Sequence, residues 1–329
     1  MDYRQLGKTG KQVSVMAMGG WSIVGDFTWG KQEKSDSLEA LQAAYENGIT
    51  LFDTAESYGD GLSERLLAEA LGRVREKIFI ATKVSPANFA PEKLRASCER
   101  SLRNLNTDWI DLYQLHWPNR QIPLQRTLKV LEKLKEEGKI RHYGVSNFGV
   151  RDLSDCYQKY EIVSNQLAYN LLFRAIEVEI LPFCYQAGIS VLCYSPLMQG
   201  LLTGKFTHPD QVPEERARTR HFSSQRRYTR HGEPGAEEET FAAISQLSAI
   251  ARENGLSLVE LSLAWLLAQP GVTSVIVGGR NRAQVLSALR AAHISLSPEV
   301  LTCLSEVTRP LKEKLGSNPG KPKESIKAY

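Results

Sequence analysis

Cysteine is scarce in this sequence, and no pair of cysteines has the spacing of a metal or redox motif. The five cysteines, an odd number with no CxxC pair, are Cys98, Cys156, Cys184, Cys193 and Cys303. Cys98, Cys184 and Cys193 lie in apolar or periodic segments, so we expect reduced thiols in the core rather than disulfides. The sequence also lacks an HExxH motif and clustered Cys and His ligands. We therefore predict no metal site.

Long apolar runs and a strong charge of either sign are missing too. No stretch approaches the roughly 18 apolar residues of a membrane span. The N-terminus, Met1-Asp2-Tyr3-Arg4, lacks the charged-then-apolar run of a signal peptide. We thus expect a cytoplasmic protein without a membrane partner. The 41 Lys and Arg residues exceed the 37 Asp and Glu residues by a net charge of +4, a surplus too small to indicate nucleic acid but compatible with small anionic ligands.

The sequence alternates short apolar runs with longer segments of helical period, which is typical of βα units around a parallel sheet. The eight runs predicted as strands are Val15–Met18, Thr50–Phe52, Ile78–Thr82, Ile110–Leu115, His142–Val145, Ile162–Asn165, Ser190–Cys193 and Ser274–Val277. Predicted helices between them include Ser35–Asn47, Pro91–Leu105, Leu124–Glu137 and Glu179–Ala187. This pattern indicates an α/β fold, either a closed (β/α)8 barrel or a doubly wound open sheet.

Two regions interrupt the alternation, and a third precedes it. A long polar insertion, from about Phe206 to Glu239, follows the seventh predicted strand. Residues 316–329 form a tail rich in Gly, Pro, Ser and Lys that we predict to be flexible. Before the first strand, Arg4–Gly7 and Lys11–Val13 flank a glycine-bearing turn and predict a β-hairpin, which would cover the bottom of a barrel. One barrel needs roughly 250 residues, so we predict a single domain over residues 1–315.

Polar residues at strand ends are the first candidates for a site, because the loops at the C-terminal ends of barrel strands build the active site. Asp53, Lys83 and His116 end the second, third and fourth predicted strands, and Tyr58 follows in the loop after Asp53. A carbonyl group that accepts hydride develops negative charge on its oxygen. That transition state requires a proton donor and dipoles aimed at the oxygen, and a tyrosine hydroxyl can donate the proton.

Each residue of this set has a role in that chemistry. A tyrosine hydroxyl has an ordinary pKa of about 10, so the Lys83 ammonium would stabilise the developing phenolate and Asp53 would hold that lysine charged. His116 would hydrogen-bond the carbonyl oxygen and orient it. Taken singly, each residue is better explained as a cap, a solvated charge, a packed ring or a backbone partner. Four such residues at adjacent strand ends favour an active site, because ionisable clusters concentrate there.

Several motifs resemble those of the aldo-keto reductase family. They are Asp53-Thr-Ala-Glu-Ser-Tyr58-Gly59 followed by Ser63-Glu64, Ala-Thr-Lys83-Val, Leu-His116-Trp-Pro, Gly144-Val-Ser146-Asn147-Phe148, Gln166, Tyr194-Ser195-Pro196-Leu197, and Gly278 through Gln284. The resemblance spans nearly the whole chain. It implies a (β/α)8 TIM barrel with Asp53, Tyr58, Lys83 and His116 as catalytic residues. It also implies an NADP (NADPH) cofactor bound without a GxGxxG loop, which this sequence lacks.

The resemblance further implies a set of cofactor-binding residues. Tyr194 stacks on the nicotinamide, and Ser146, Asn147 and Gln166 hold its carboxamide. The other predicted cofactor residues are Gly20, Trp21, Asp53, Ser195, Pro196, Leu197, Gly200, Lys205, Gly278, Gly279, Arg280, Asn281, Arg282 and Gln284. Apart from the family, the glycines after the eighth strand open a helix whose N-terminal amides favour an anion, and two arginines there can clamp a 2′-phosphate. NADP is therefore favoured over NAD, the alternative being that these arginines are solvated charges.

Tryptophans near the strand ends predict the walls of a substrate pocket. Trp21, Trp29 and Trp117 would line it together with Tyr58 and His116, although packing in the core or at the rim explains the tryptophans about as well. The expected substrate is a small carbonyl compound, including a sugar-like one.

The polar insertion is rich in arginine. Its arginines are Arg216, Arg218, Arg220, Arg226, Arg227 and Arg230, and the same segment contains His221, His231 and the aromatic residues Phe222 and Tyr228. Basic residues interleaved with aromatic ones can bind single-stranded nucleic acid. Acidic residues bound this run, however, so we favour a solvated loop or lid beside the cofactor phosphates and predict no nucleic-acid partner.

The sequence as a whole predicts an NADPH-dependent enzyme that reduces aldehydes or ketones to alcohols, or runs the reverse oxidation. The alternative is a binding subunit of the same fold, a cofactor sensor or channel-associated protein that holds NADPH with little turnover, because one fold can host both roles. The complete set of Asp53, Tyr58, Lys83 and His116 favours the enzyme. Nothing in the sequence indicates an oligomeric state.

Overall fold

A closed barrel of parallel strands forms the centre of the computed structural model, which describes residues 1–318 except Asp155 and Arg230. Strands β1 (Tyr3–Gln5) and β2 (Gln12–Ser14) form an N-terminal hairpin, and the barrel strands are β3 (Met16–Gly19), β4 (Leu51–Asp53), β5 (Phe79–Val84), β6 (Ile110–Leu115), β7 (Ile140–Ser146), β8 (Ile162–Ala168), β9 (Ser190–Tyr194) and β10 (Val272–Gly278). They pair in chain order, and β10 closes the barrel by pairing with β3. The predicted (β/α)8 TIM barrel is confirmed, and an open sheet is excluded.

Helices surround the barrel on its outer side. In the described part of the chain they are α1 (Lys34–Glu46), α2 (Leu62–Leu71), α3 (Pro91–Leu105), α4 (Leu124–Glu136), α5 (Val150–Ser154), α6 (Ile180–Ala187), α7 (Glu237–Glu253), α8 (Leu258–Leu267), α9 (Arg282–Leu289), α10 (Pro298–Val307) and α11 (Arg309–Leu315). None of these helices has the length and apolar composition needed to cross a membrane, within the residues described. The single domain predicted over residues 1–315 stays a prediction, and residues 319–329 of the predicted flexible tail lie outside the described residues.

Helix ends follow local chemistry. Helix α8 begins at a capping box, in which Ser257 Oγ accepts a hydrogen bond from the Glu260 N–H and the Glu260 carboxylate accepts one from the Ser257 N–H. Helix α6 ends at Gly188, whose φ of 70° is the left-handed conformation that glycine adopts most easily. Strand β7 is longer than predicted because Ile140 and Ser146, at its two ends, both pair with neighbouring strands.

Two apolar layers hold the fold together. The larger layer fills the space between the strands and the helices, and the smaller one lies inside the barrel. Leu6 and Val13 of the hairpin belong to the inner layer and are fully buried, so each stabilises the fold by about 2 kcal/mol. At the hairpin turn, a Cβ atom on Gly7 would lie 2.6 Å from the carbonyl oxygen of Val163 in β8. The hairpin therefore covers the N-terminal end of the barrel, as predicted, and leaves the C-terminal end open.

The arginine-rich insertion after β9 is more deeply packed than the sequence predicted. Its centre, Arg220 to Phe222, is buried, so the prediction of a solvated loop is wrong there. His221 Nε2 donates to the Leu172 carbonyl at 2.9 Å, and burial lowers the pKa of this histidine to about 4. Arg226 pairs with Glu214 and with Glu237 of α7, which begins two residues before the predicted end of the insertion. Arg230 lies outside the described residues.

Candidate active site

The three strand-end residues and Tyr58 of the loop after β4 meet at the open end of the barrel. Asp53 is the last residue of β4, Lys83 lies near the end of β5, and His116 follows β6 directly. Lys83 Nζ lies 2.6 Å from Asp53 Oδ1 and 3.3 Å from Tyr58 Oη. The rings of Tyr58 and His116 meet edge to face with their centroids 5.8 Å apart. The sequence-predicted set is therefore one spatial cluster.

Lys83 is a fully buried cation whose neighbours keep it charged. Its ammonium donates to Asp53 Oδ1, to the Thr54 carbonyl at 2.9 Å and to Tyr58 Oη. Burial by itself lowers the pKa of Lys83, but the charge of Asp53 and the hydroxyl of Tyr58 raise it more, so the net pKa lies above the ordinary value. A charged ammonium 3.3 Å from the Tyr58 hydroxyl can stabilise a phenolate there.

Tyr58 keeps its proton in this environment. Burial raises the pKa of its hydroxyl most strongly, the Lys83 ammonium lowers it, and the Asp53 carboxylate raises it again. The net pKa lies above the ordinary value for tyrosine. The hydroxyl is therefore protonated at neutral pH, as a proton donor must be before it reacts.

Two buried glutamines hold Asp53 from the barrel interior. Gln166 Nε2 donates to Asp53 Oδ2 at 2.6 Å, and Gln114 Nε2 approaches the same oxygen at 3.4 Å. The family resemblance implied that Gln166 binds a carboxamide, and the structure adds that it also contacts the Asp53 carboxylate. Gln114 was not identified in the sequence analysis. Its position in β6, two residues before His116, turns its side chain into the barrel, because side chains alternate between the two faces of a strand.

A cavity of about 610 Å³ opens above these residues. Besides Asp53, Tyr58 and His116, the predicted residues that line it are Gly20, Trp21, Trp29, Trp117, Ser146, Asn147, Gln166, Tyr194, Ser195, Pro196, Leu197, Gly200, Lys205, Gly278, Arg280 and Gln284. Lining residues that the sequence analysis did not select include Ser22, Gln199, Thr203, Arg216 and Ser287.

Three residues of the predicted cofactor set do not line this cavity, and their role in cofactor binding stays a prediction. Asn281 caps α9, because its Oδ1 accepts the Gln284 N–H at 3.0 Å. Arg282 pairs with Glu46 of α1 at 3.1 Å. A Cβ atom on Gly279 would lie 2.6 Å from a methyl group of Val285, so this glycine packs against α9. Gly279, Asn281 and Arg282 are absent from the cavity lining among the described residues.

Cationic side chains gather in one part of the lining. Lys205, Arg216 and Arg280 act on one another electrostatically, and burial together with this repulsion lowers the pKa of Lys205 and of Arg216. Gly200 lies beside two of them: a Cβ atom there would lie 3.3 Å from Lys205 Cε, a tight approach, and 3.7 Å from Arg216 Nη1, an ordinary contact. The arrangement is suited to a group with several negative charges, such as a phosphate.

Backbone strain is concentrated at the same cavity. Three lining residues other than glycine have left-handed backbones: Asn147 with a φ of 64°, Ser195 with 51° and Gln199 with 53°. Such residues cost of order 1–3 kcal/mol each and cluster at ligand-binding sites. The buried Ser22 Oγ and Gln199 Oε1 have no hydrogen-bond partner among the described residues. The described residues contain no group of His, Cys, Asp and Glu that could hold a metal ion.

Comparisons with known proteins agree with this geometry. The chain matches the Aldo/keto reductase family over residues 15–309. It is 33% identical over 299 residues to aldo-keto reductase YhdN of Bacillus subtilis, with 87% of each chain covered. It is 32% identical over 330 residues to the NADH-specific methylglyoxal reductase of Escherichia coli, with 93% of this chain and 98% of that protein covered.

A solved structure agrees as well. The crystal structure of an aldo-keto reductase from Klebsiella pneumoniae in complex with NADPH matches with a TM-score of 0.77 and 27% identity, covering 98% of this chain and 100% of that one. The resemblance predicted from the motifs is confirmed. This chain belongs to the aldo/keto reductase family.

Proposed function

We propose that this protein reduces aldehydes or ketones to alcohols with NADPH, and that Tyr58 is the general acid. The observation that carries the proposal is the protonated Tyr58 hydroxyl, 3.3 Å from the buried Lys83 ammonium and beside the His116 ring at a cavity wall. A relative of similar length is named as a methylglyoxal reductase, which supports a carbonyl compound as substrate.

The cavity fits a nicotinamide dinucleotide. The orphaned Ser22 and Gln199 oxygens and the Lys205, Arg216 and Arg280 cations supply polar partners and positive charge along its walls. Tyr194 would stack on the nicotinamide ring. Ser146, Asn147 and Gln166 would hold the carboxamide, and the cations would hold the phosphates. When bound, the reduced nicotinamide supplies the hydride.

The residues of the chain then have distinct roles. His116 orients the carbonyl oxygen toward Tyr58, and the tryptophans of the cavity wall exclude water. Tyr58 gives its proton to that oxygen as negative charge develops there. Lys83 stabilises the phenolate left behind, and Asp53 keeps Lys83 charged and aligned.

NADPH rather than NADH is the cofactor that the charges favour. Arg280 lines the cavity and is held there by Gln32, whose Oε1 accepts its Nε–H at 2.8 Å, and by the Lys31 carbonyl. The 2′-phosphate of NADPH would add a charge-assisted contact that NADH lacks. A relative is named as NADH-specific, so the ratio of the Kd values for NADPH and NADH tests this preference.

Replacing Tyr58 by Phe tests the proposal. Purified wild-type protein should consume NADPH with methylglyoxal. Tyr58→Phe should lose at least ~100-fold in kcat, as expected when a general acid is removed, and should still bind NADPH. Tyr113→Phe is the matched control, because the Tyr113 hydroxyl is buried in the barrel wall without a hydrogen-bond partner among the described residues.

The outcomes separate the two functions considered. Retained turnover in Tyr58→Phe would show that Tyr58 is not the general acid. Tight NADPH binding by the wild type with no consumption of it by any small aldehyde would instead support the cofactor-binding subunit.

A further inference from the structure

Asp26 lies at the centre of the loop between β3 and α1, and no step of the proposed chemistry uses it. Its Oδ2 accepts a hydrogen bond from Trp21 Nε1 at 2.7 Å. Its Oδ1 accepts the backbone N–H groups of Thr28 at 2.8 Å and of Trp29 at 3.0 Å. The two oxygens of this carboxylate therefore have separate partners: one holds an indole ring and the other holds a turn.

Trp21 connects the first oxygen to the site. Its ring stacks on that of Tyr58 with the centroids 6.4 Å apart and the planes 27° apart. The ring also meets Trp29 edge to face at 5.3 Å. Aromatic contacts of this kind tolerate several orientations, whereas a charged acceptor 2.7 Å from the indole nitrogen selects one. The carboxylate thus sets the angle of the wall beside the Tyr58 hydroxyl.

The turn connects the second oxygen to the cationic part of the cavity. The Arg216 guanidinium lies 5.0 Å from the centroid of the Trp29 ring, at a cation–π distance. Arg216 Nε also donates to the Thr28 carbonyl at 3.3 Å. A change that destroys the turn should therefore disturb Arg216, while a change confined to Oδ2 should not.

We propose that Asp26 is a positioning residue that fixes the Trp21 indole against Tyr58 and thereby fits the site to planar, ring-bearing carbonyl compounds. The proposal rests on the proposed function and names the substrate class for the same site. Asp26 is not among the described residues that line the cavity, so it acts through Trp21. A planar aldehyde gains from a fixed aromatic wall by stacking on it, whereas methylglyoxal has no ring to stack.

Asp26→Asn separates the two roles of the carboxylate. The carbonyl oxygen of the asparagine can still accept the N–H groups of Thr28 and Trp29, but its amide group is a donor and cannot accept from Trp21. Asp26→Ala removes both roles. The pair of variants therefore distinguishes a lost indole contact from a lost turn.

Activity with two aldehydes is the first readout. For Asp26→Asn we expect the KM for benzaldehyde to rise by up to about tenfold, because substrate binding must then restore the indole orientation that one charge-assisted hydrogen bond fixes in the wild type. The kcat, the KM for methylglyoxal and the Kd for NADPH should change less than about twofold, since Tyr58 and Arg216 are untouched. Asp26→Ala should in addition raise the Kd for NADPH.

A double variant tests whether Asp26 acts through Trp21. Trp21→Phe removes the N–H donor, so Asp26→Asn should have no further effect in that background. An unchanged KM for benzaldehyde in Asp26→Asn, a fall in kcat alone, or an equal effect in the Trp21→Phe background overturns the proposal. A wild-type enzyme that reduces methylglyoxal but not benzaldehyde also overturns the proposal.

A second readout does not depend on turnover. The indole N–H signal of Trp21 in a ¹⁵N–¹H spectrum is identified by its absence in Trp21→Phe, and its hydrogen exchange should be much faster in Asp26→Asn than in the wild type. Absence of NADPH consumption by the wild type would refute the proposed function. Unchanged exchange of the Trp21 N–H would refute the positioning role, whatever the activity.

Discussion

Replacing Lys83 by Met removes a buried ammonium while keeping most of the side-chain volume. In the wild type this ammonium lies 2.6 Å from Asp53 Oδ1 and 2.9 Å from the Thr54 carbonyl. Without it Asp53, which is only 4% exposed, keeps the Gln166 amide but loses its cation. Removing one partner of a buried ion pair destabilises a protein by roughly 3–5 kcal/mol. We therefore expect Lys83→Met to lower the free energy of unfolding by about 3 kcal/mol or more.

The matched control is the double variant Lys83→Met/Asp53→Asn, in which both charges are gone. It should regain at least half of the lost stability, because a neutral amide in place of Asp53 needs no cation. Urea denaturation followed by circular dichroism gives the free energies of the wild type, both single variants and the double variant. A loss below about 1 kcal/mol in Lys83→Met, or a double variant that loses the sum of the two single losses, would refute a coupled pair.

Two further predictions concern the cofactor and the buried histidine. Arg280→Gln should raise the Kd for NADPH about tenfold and leave the Kd for NADH nearly unchanged. Arg282→Gln should change neither Kd, because the native Arg282 side chain pairs with Glu46. Equal effects of the two variants on the Kd for NADPH, measured by fluorescence titration, would contradict this assignment. Burial lowers the pKa of His221 from 6.5 to about 4. Between these two pH values the unfolded chain binds a proton that the folded chain does not. The free energy of unfolding should therefore fall by up to about 1.4 kcal/mol per pH unit as the pH drops. His221→Asn should show a shallower fall between pH 7 and 5 in urea denaturation, and equal slopes would contradict the burial argument.

The barrel and its four central polar residues were predictable from the sequence because both depend on local patterns. Each buried parallel strand is a short apolar run, and the polar residue that ends it marks the open face of the barrel. Asp53, Lys83 and His116 were found in this way without knowledge of loop paths. Tyr58 could be added to this set from the sequence because only four residues separate it from Asp53.

The loops were less predictable because their paths depend on tertiary contacts. Gly278 through Gln284 is one contiguous motif, yet α9 begins within it, and only the helix face that holds Gln284 and Ser287 meets the cavity. Arg282 lies at the first helical position and points to α1 instead. In a segment where a helix begins, the helical period, and not adjacency in the sequence, determines which side chains face the cavity.

Arg216 and Asp26 show the same limit in loops without regular period. Arg216 is one of several arginines in the insertion, and only the folded structure, in which it lines the cavity and contacts Thr28 and Trp29, separates it from the others. Asp26 has no sequence signal of its own, since its role depends on the ring of Trp21 five residues earlier.

Transfer of deuterium from C4 of NADPH to methylglyoxal tests the central claim most directly. Wild-type protein given NADPH labelled at the reactive C4 position should yield an alcohol with one deuterium on the former carbonyl carbon, detected by mass spectrometry. Tyr58→Phe should bind the labelled NADPH and yield almost no alcohol. An unlabelled alcohol from the wild type, or labelled alcohol formed equally fast by Tyr58→Phe, would contradict hydride transfer to a carbonyl that Tyr58 protonates.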